Sequence, residues 1–78
     1  METPRAAMRR ARLAAGLTQD ALAKAMNISE AYVCLMESGA RVIRDELALI
    51  MPEPIGREVR KALADQYRQA AWKLEESE

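Results

Sequence analysis

The stretch Leu17–Gly39, LTQDALAKAMNISEAYVCLMESG, leaves this chain little choice of local structure. Thr18 can cap a helix start, because its hydroxyl accepts from first-turn backbone N–H groups that have no partner. Ala21, Leu22, Ala25 and Met26 follow at helical spacing and give that helix an apolar face. Asn27 comes next, and after Gly it is the residue that best tolerates the left-handed conformation that ends a helix. Ile28 is apolar and can plug the corner. Ser29 can cap a second helix, Val33 and Met36 supply its inward stripe, and Gly39 ends it as Asn27 ended the first. Cap, stripe, turn residue, plug, cap, stripe and terminator occur in the order that two short helices joined by a tight turn require.

Two such helices form a helix-turn-helix, spanning about residues 18–38. The wider segment Met8–Gly39, MRRARLAAGLTQDALAKAMNISEAYVCLMESG, resembles the Cro/lambda-repressor-like (XRE-type) helix-turn-helix domains of phages and bacterial regulators. The residues that carry the resemblance are Arg12, Gly16-Leu17-Thr18-Gln19, Leu22-Ala23, Ile28-Ser29, Val33, and Glu37 with Gly39. It implies an all-α fold, a compact five-helix lambda-repressor-like DNA-binding domain, here with an extended C-terminal helix. It also implies a double-stranded DNA operator as partner, a homodimer as the working form, and repression of transcription.

The resemblance assigns roles residue by residue. Arg12 would pair with Glu37, tying the first helix to the end of the third, since the guanidinium fork fits a carboxylate with two parallel hydrogen bonds. Two unrelated surface charges are the alternative. Gln19, behind Thr18, would approach the DNA backbone at a helix start whose exposed amides can share the phosphate. The third helix, about Ser29 to Ser38, would be the recognition helix. With Val33 and Met36 inward, Glu30, Ala31, Cys34, Leu35 and Ser38 face out, with Tyr32 at the margin. Family members usually carry Gln, Asn, Ser, Lys or Arg at the positions of Glu30, Ala31 and Leu35, and this chain departs from that. Glu30 can only accept, so cytosine N4 is its natural base partner, while Ala31 and Leu35 can touch a thymine methyl. The same outward trio, Ala31, Cys34 and Leu35, is also a small apolar patch of the kind that docks protein. Arg41 and Arg44, in the loop after Gly39, are phosphate candidates.

A chain of 78 residues allows one small domain, residues 1–78. Formal net charge is zero, yet the halves differ. Up to Arg44 there are seven basic and four acidic residues, and beyond it five basic and eight acidic. A positive front half therefore precedes a negative back half. Arg5, Arg9 and Arg10 of the first helix form either a solvated face or a phosphate-facing patch. One cysteine and no histidine exclude an internal disulfide and an ordinary zinc site, and neither metal nor cofactor is expected. Cys34 has no His or Lys near it in sequence to activate it and reads as a plain small side chain. Without His, a Gly-rich phosphate loop or paired acids, the chain lacks the groups that catalysis requires. There is no signal peptide and no apolar run long enough to span a membrane, so the cytoplasm is the expected compartment.

Outside the motif, Thr3-Pro4 opens a first helix that stops at Gly16 and turns Met8, Ala11, Arg12 and Ala15 to one face. Asp45 can cap a short fourth helix with Leu47, Ile50 and Met51 inward, which Pro52 ends. Pro52–Gly56 reads as a stiff connector. The last helix, about residues 56–75, carries Val59, Ala62, Leu63, Gln66, Tyr67, Ala70 and Leu74 on one face. It either closes the monomer core or serves as a dimer arm. Trp72 lies nearly opposite that seam, beside Lys61, Asp65 and Arg68. Because an indole is enriched at interface anchors, Trp72, with Arg68 and Tyr67, is the expected dimer contact.

Overall fold

In the computed structural model the backbone is described for residues 1–76 and the side chains for residues 1–71. Five helices follow one another: α1 (Pro4–Ala14), α2 (Gln19–Met26), α3 (Glu30–Ser38), α4 (Asp45–Ile50) and α5 (Ile55–Glu76). No strand occurs among the described residues. The fold class is the all-helical one that the sequence implies, long last helix included.

Local chemistry sets most of the boundaries. Thr3 accepts from the Ala6 N–H, and Pro4 takes the first helical position of α1. Gly16, at φ 74°, closes α1: its N–H reaches Leu13 O and the Leu17 N–H reaches Arg12 O. These two bonds are the Schellman pair, which satisfies carbonyls the helix end would orphan. Asn27, at φ 58°, repeats the arrangement on α2, with the Ile28 N–H on Ala23 O. Thr18 and Ser29 cap α2 and α3 by accepting from Ala21 and Tyr32 N–H groups, and Gly39, at φ 87°, ends α3.

α1 lies between α5 and α3, α2 packs on α3, and α4 packs on α5. Met8 of α1, Leu22 of α2, Val33 and Met36 of α3, and Ile55 and Val59 of α5 are fully buried at their junction. At about 0.8 kcal/mol per buried methylene, such side chains supply most of the driving force for a domain this small.

Several sequence expectations need correction. Ala15 and Ala25 are exposed, because α1 and α2 turn Ala7 and Ala23 inward instead. Asp45 is the first residue of α4, not its cap. Arg44 takes the cap position in an extended conformation without a side-chain bond, and Asp45 accepts from the Tyr67 hydroxyl at 3.3 Å. Ile50 is exposed and Ala48 is buried. Ile50, still helical, lies on the outer side of α4, and Pro52 holds Met51 in the extended region (ψ 138°), where it fills the core.

Gly56 belongs to the first turn of α5 rather than to the connector. A Cβ there would lie 2.8 Å from Ala48 O and 2.9 Å from Met51 O, so only glycine lets α5 start this close to α4. The apolar seam of α5 is buried only as far as Leu63, and Gln66, Tyr67 and Ala70 are exposed. The reason is length. α1 spans 11 residues, about 16 Å, and α5 spans 22, about 33 Å, so α5 outruns the helix it packs on. The side chains of Trp72 and Leu74 lie outside the described residues.

Candidate nucleic-acid interface

The surface that α3 presents depends on what holds α3 from behind. Arg12, on the inward face of α1, donates from Nε to Glu37 Oε2 at 2.7 Å and from Nη2 to Oε1 at 2.9 Å. Its Nη1 donates to Leu17 O at 2.8 Å, so the guanidinium also pins the α1–α2 turn. The two side chains are 8% and 3% exposed. A charge pair this deeply desolvated holds only if its remaining hydrogen-bonding groups are met. Among the described residues no buried side-chain polar atom lacks a partner. The bond to Glu37 raises the Arg12 pKa above its ordinary value against the opposing pull of burial, so the guanidinium stays charged.

Gln19 joins this network. Its amide nitrogen donates to Glu37 Oε1 at 3.2 Å, so α2 and α3 are tied through one carboxylate. The sequence offers Gln19 either as a contact to the DNA backbone or as an ordinary polar first-turn residue. Its link to Glu37 spans 18 positions and had no sequence signal.

With its inner face fixed, α3 leaves Glu30, Ala31, Cys34, Leu35 and Ser38 exposed and Tyr32 half-buried. Thr18 and Ser29 stand at the first turns of α2 and α3, their hydroxyls accepting from backbone. Ser38 donates its hydroxyl to Leu35 O at 3.1 Å and is occupied locally. Leu35 is 39% exposed and adjoins Ala31 and Cys34 in an apolar strip along the helix. No amide, guanidinium or ammonium side chain stands on α3 itself, whose sequence is EAYVCLMES.

Two cationic groups follow α3 in the loop that leads to α4. Arg41 sits with its guanidinium carbon 5.8 Å from the Tyr32 ring centroid, within cation–π range. Arg44 is exposed at the start of α4. Among the described residues neither is paired with a carboxylate. Tyr32, Arg41, Arg44, Leu47 and the acidic Glu46 border an open groove of about 510 Å³ between the α3–α4 loop and α4.

The first-helix arginines do not act as one patch. Arg10 is held by Glu2 at 2.8 and 2.9 Å and by Glu58 at 3.0 Å, on the side of α1 facing α5. Arg5 crosses to the end of α3, where Nη1 donates to Ser38 O at 2.8 Å and the side chain covers Gly39. A cation at a helix C-terminus satisfies an orphan carbonyl and opposes the helix dipole. Arg9 is exposed. Tyr67 is exposed on α5, and among the described residues Arg68 beside it meets Asp65 at 3.4 Å.

No group of three or more His, Cys, Asp or Glu side chains with metal-holding geometry occurs among the described residues. No helix among them is long and apolar enough to cross a membrane.

Comparison with known proteins agrees with this geometry. No curated protein and no solved structure matches the chain. A helix-turn-helix domain family model matches residues 5–52, more than half of the 78 residues, and takes in α1 from its second residue, α2, α3 and α4, with the loop that carries Arg41 and Arg44. The chain belongs to the helix-turn-helix domain family.

Proposed function

We propose that this protein is a sequence-specific DNA-binding transcriptional regulator of the Cro/lambda-repressor-like kind, a phage or mobile-element repressor that acts as a homodimer on an operator. The observation that carries the reading is the exposed face of α3, anchored from behind through Arg12 and Glu37 and flanked by Arg41 and Arg44. A helix so placed suits the major groove, and arginines at its edge suit the phosphates on either side. Two copies would set their α3 helices one duplex turn apart, about 34–36 Å, on a partly palindromic site. Bound there, the dimer represses by excluding polymerase or a rival regulator.

The length of α5 supports the dimer. Beyond Leu63 its described side chains are largely exposed, Tyr67 and Ala70 among them. Trp72 in the same helix is the proposed anchor, with Arg68 one turn before it and Tyr67 as the further proposed contacts.

The test is fluorescence polarisation of the full chain on the duplex upstream of its own coding sequence, across salt. Each neutralised phosphate contributes about −0.9 to the slope of log affinity on log salt. Arg41 and Arg44 from two protomers predict a slope near about −3.6. A flat dependence, or no binding at about 50 mM salt, refutes the reading. Sedimentation at micromolar protein should show a dimer that Trp72→Ala shifts toward monomer. If Trp72→Ala stays dimeric, Trp72 is not the anchor.

A second reading keeps the scaffold and changes the partner. The apolar strip of Ala31, Cys34 and Leu35 favours docking onto another protein, and then no duplex would bind with salt-dependent affinity.

A further inference from the structure

Purine edges in the major groove are read by side chains that donate. Guanine offers two acceptors, N7 and O6, and takes Arg or Lys. Adenine offers N7 beside its N6 amine, and takes Asn or Gln. The exposed face of α3 holds none of these four residue types. Its first-turn group, Glu30, only accepts. Ser38, at the far end, spends its hydroxyl on Leu35 O. Between them stand Ala31, Cys34 and Leu35, with Leu35 39% exposed.

The complementary surface on a base pair is a pyrimidine. Cytosine presents N4 as a donor with no acceptor beside it on that base, whereas adenine pairs its donor with N7, which repels a carboxylate. Thymine presents a C5 methyl, the apolar group of the major groove. A 5-methylcytosine carries both features on one base.

We propose that the α3 surface reads pyrimidine C5 methyl groups, with Ala31 and Leu35 packing on the methyls and Glu30 accepting from a cytosine N4 amine. Affinity for DNA is then sensitive to cytosine methylation at the sites α3 covers. The inference rests on the reading of the chain as a major-groove binder, and Arg41 and Arg44 supply the phosphate contacts that hold α3 against the bases.

The experiment uses the full chain and a random 20-bp duplex library selected at low salt. The selected duplex is then resynthesised with deoxyuridine for thymine, with 5-methylcytosine for cytosine, or with 7-deazapurines that lack N7. Losing one packed methyl removes about 0.8 kcal/mol, or about fourfold in affinity. Deoxyuridine should weaken binding by about fourfold per contacted thymine, 5-methylcytosine should strengthen it at some cytosines, and 7-deazapurines should leave it unchanged. Leu35→Ala should weaken binding to the thymine duplex by the same factor and leave the matched deoxyuridine duplex unaffected. That cycle separates methyl contact from altered duplex stiffness, and a thermal melt verifies that the variant folds. Loss with 7-deazapurines but not with deoxyuridine overturns the inference. So does salt-dependent binding from which the selection enriches no sequence, which leaves the DNA-binding reading standing. Failure to bind any duplex overturns both, and points to a protein on the same strip.

Discussion

Replacing Glu37 by alanine tests the architecture at its most sensitive point. The carboxylate receives Arg12 Nε at 2.7 Å, Arg12 Nη2 at 2.9 Å and Gln19 Nε2 at 3.2 Å. In Glu37→Ala the guanidinium keeps only Leu17 O, and it stays buried, since Arg12 is 8% exposed. Hydrogen bonds to charged groups contribute about 1.5–3 kcal/mol each, so the two from Arg12 set a loss of about 3–6 kcal/mol. Breaking buried pairs from one side costs about 3–5 kcal/mol, in agreement. A domain of this size has about 4–12 kcal/mol of total stability, at roughly 0.05–0.15 kcal/mol per residue. The variant should therefore lose about a quarter or more of its stability, and unfold outright at the lower end of that range.

For a domain this small each kcal/mol moves Tm by about 4–8 °C, so the melt followed by circular dichroism should fall by at least about 12 °C. The damage comes from the stranded charge, not from the lost attraction alone. Replacing both partners with apolar groups, Arg12→Met with Glu37→Leu, should recover at least half of the loss, because apolar replacement of a buried pair is often close to neutral. A drop of one or two degrees in Glu37→Ala refutes the reasoning. A double variant as damaged as the single one refutes the stranded-charge account.

Arg41→Ala and Arg44→Ala should each weaken binding to all duplexes about equally and flatten the salt slope by roughly one unit per lost contact. Gln19→Ala should weaken binding without moving that slope, because Gln19 carries no charge; polarisation titrations at several salt concentrations check all three. Glu30→Gln should strengthen binding to arbitrary duplexes by removing a negative charge near the phosphates. On the selected duplex it should lose about 1–3 kcal/mol at the cytosine that Glu30 reads, and gain for adenine there. Gly56→Ala should destabilise by about 1–3 kcal/mol in urea unfolding, because the new Cβ meets the carbonyls of Ala48 and Met51 at 2.8 and 2.9 Å. Stability equal to the wild type would mean that the α4–α5 junction yields freely.

The parts of this fold that were legible are those decided within a few residues. Thr18 with Ala21, Ser29 with Tyr32, and Asn27 in its left-handed turn each need only a neighbour on the same turn. Their order in sequence is therefore their order in space. The inward pair Val33 and Met36 was legible because a helix whose start is fixed by its cap has only one register. α5 was not, since a helical wheel gives the direction of a seam but not how far a partner extends along it. The exposed Gln66, Tyr67 and Ala70 follow from the shortness of α1, a property of another segment.

The arginines show the same limit. Arg5, Arg9, Arg10 and Arg12 crowd eight positions of one helix and have different fates. Arg12 goes inward to Glu37, 25 positions on. Arg5 reaches the end of α3, 33 positions on, and Arg10 reaches Glu58, 48 positions on. The inward face of α1 marks Arg12 off from the other three, but nothing local separates Arg5, Arg9 and Arg10, because their partners are settled by which carboxylate or carbonyl the folded chain brings alongside. Gly56 belongs with them: its lack of a side chain matters only once α4 and α5 meet.

This division places the groups that hold α3 and the groups it exposes on opposite sides of one helix. The groups that hold α3, namely Val33, Met36 and Glu37, point toward α1 and α2 and are buried or bonded there. Glu30, Ala31, Cys34 and Leu35 point outward, and the core does not depend on them. Substitution on the outer face should therefore leave stability nearly unchanged, apart from the roughly 0.3–1 kcal/mol that the Glu30 carboxylate draws from the helix dipole. Substitution of Glu37 acts on folding first, and on binding only because an unanchored α3 presents no face. A helix held in this way can change its outward residues while its position stays fixed. An apolar strip can therefore stand on the outer face of α3 with the fold unchanged.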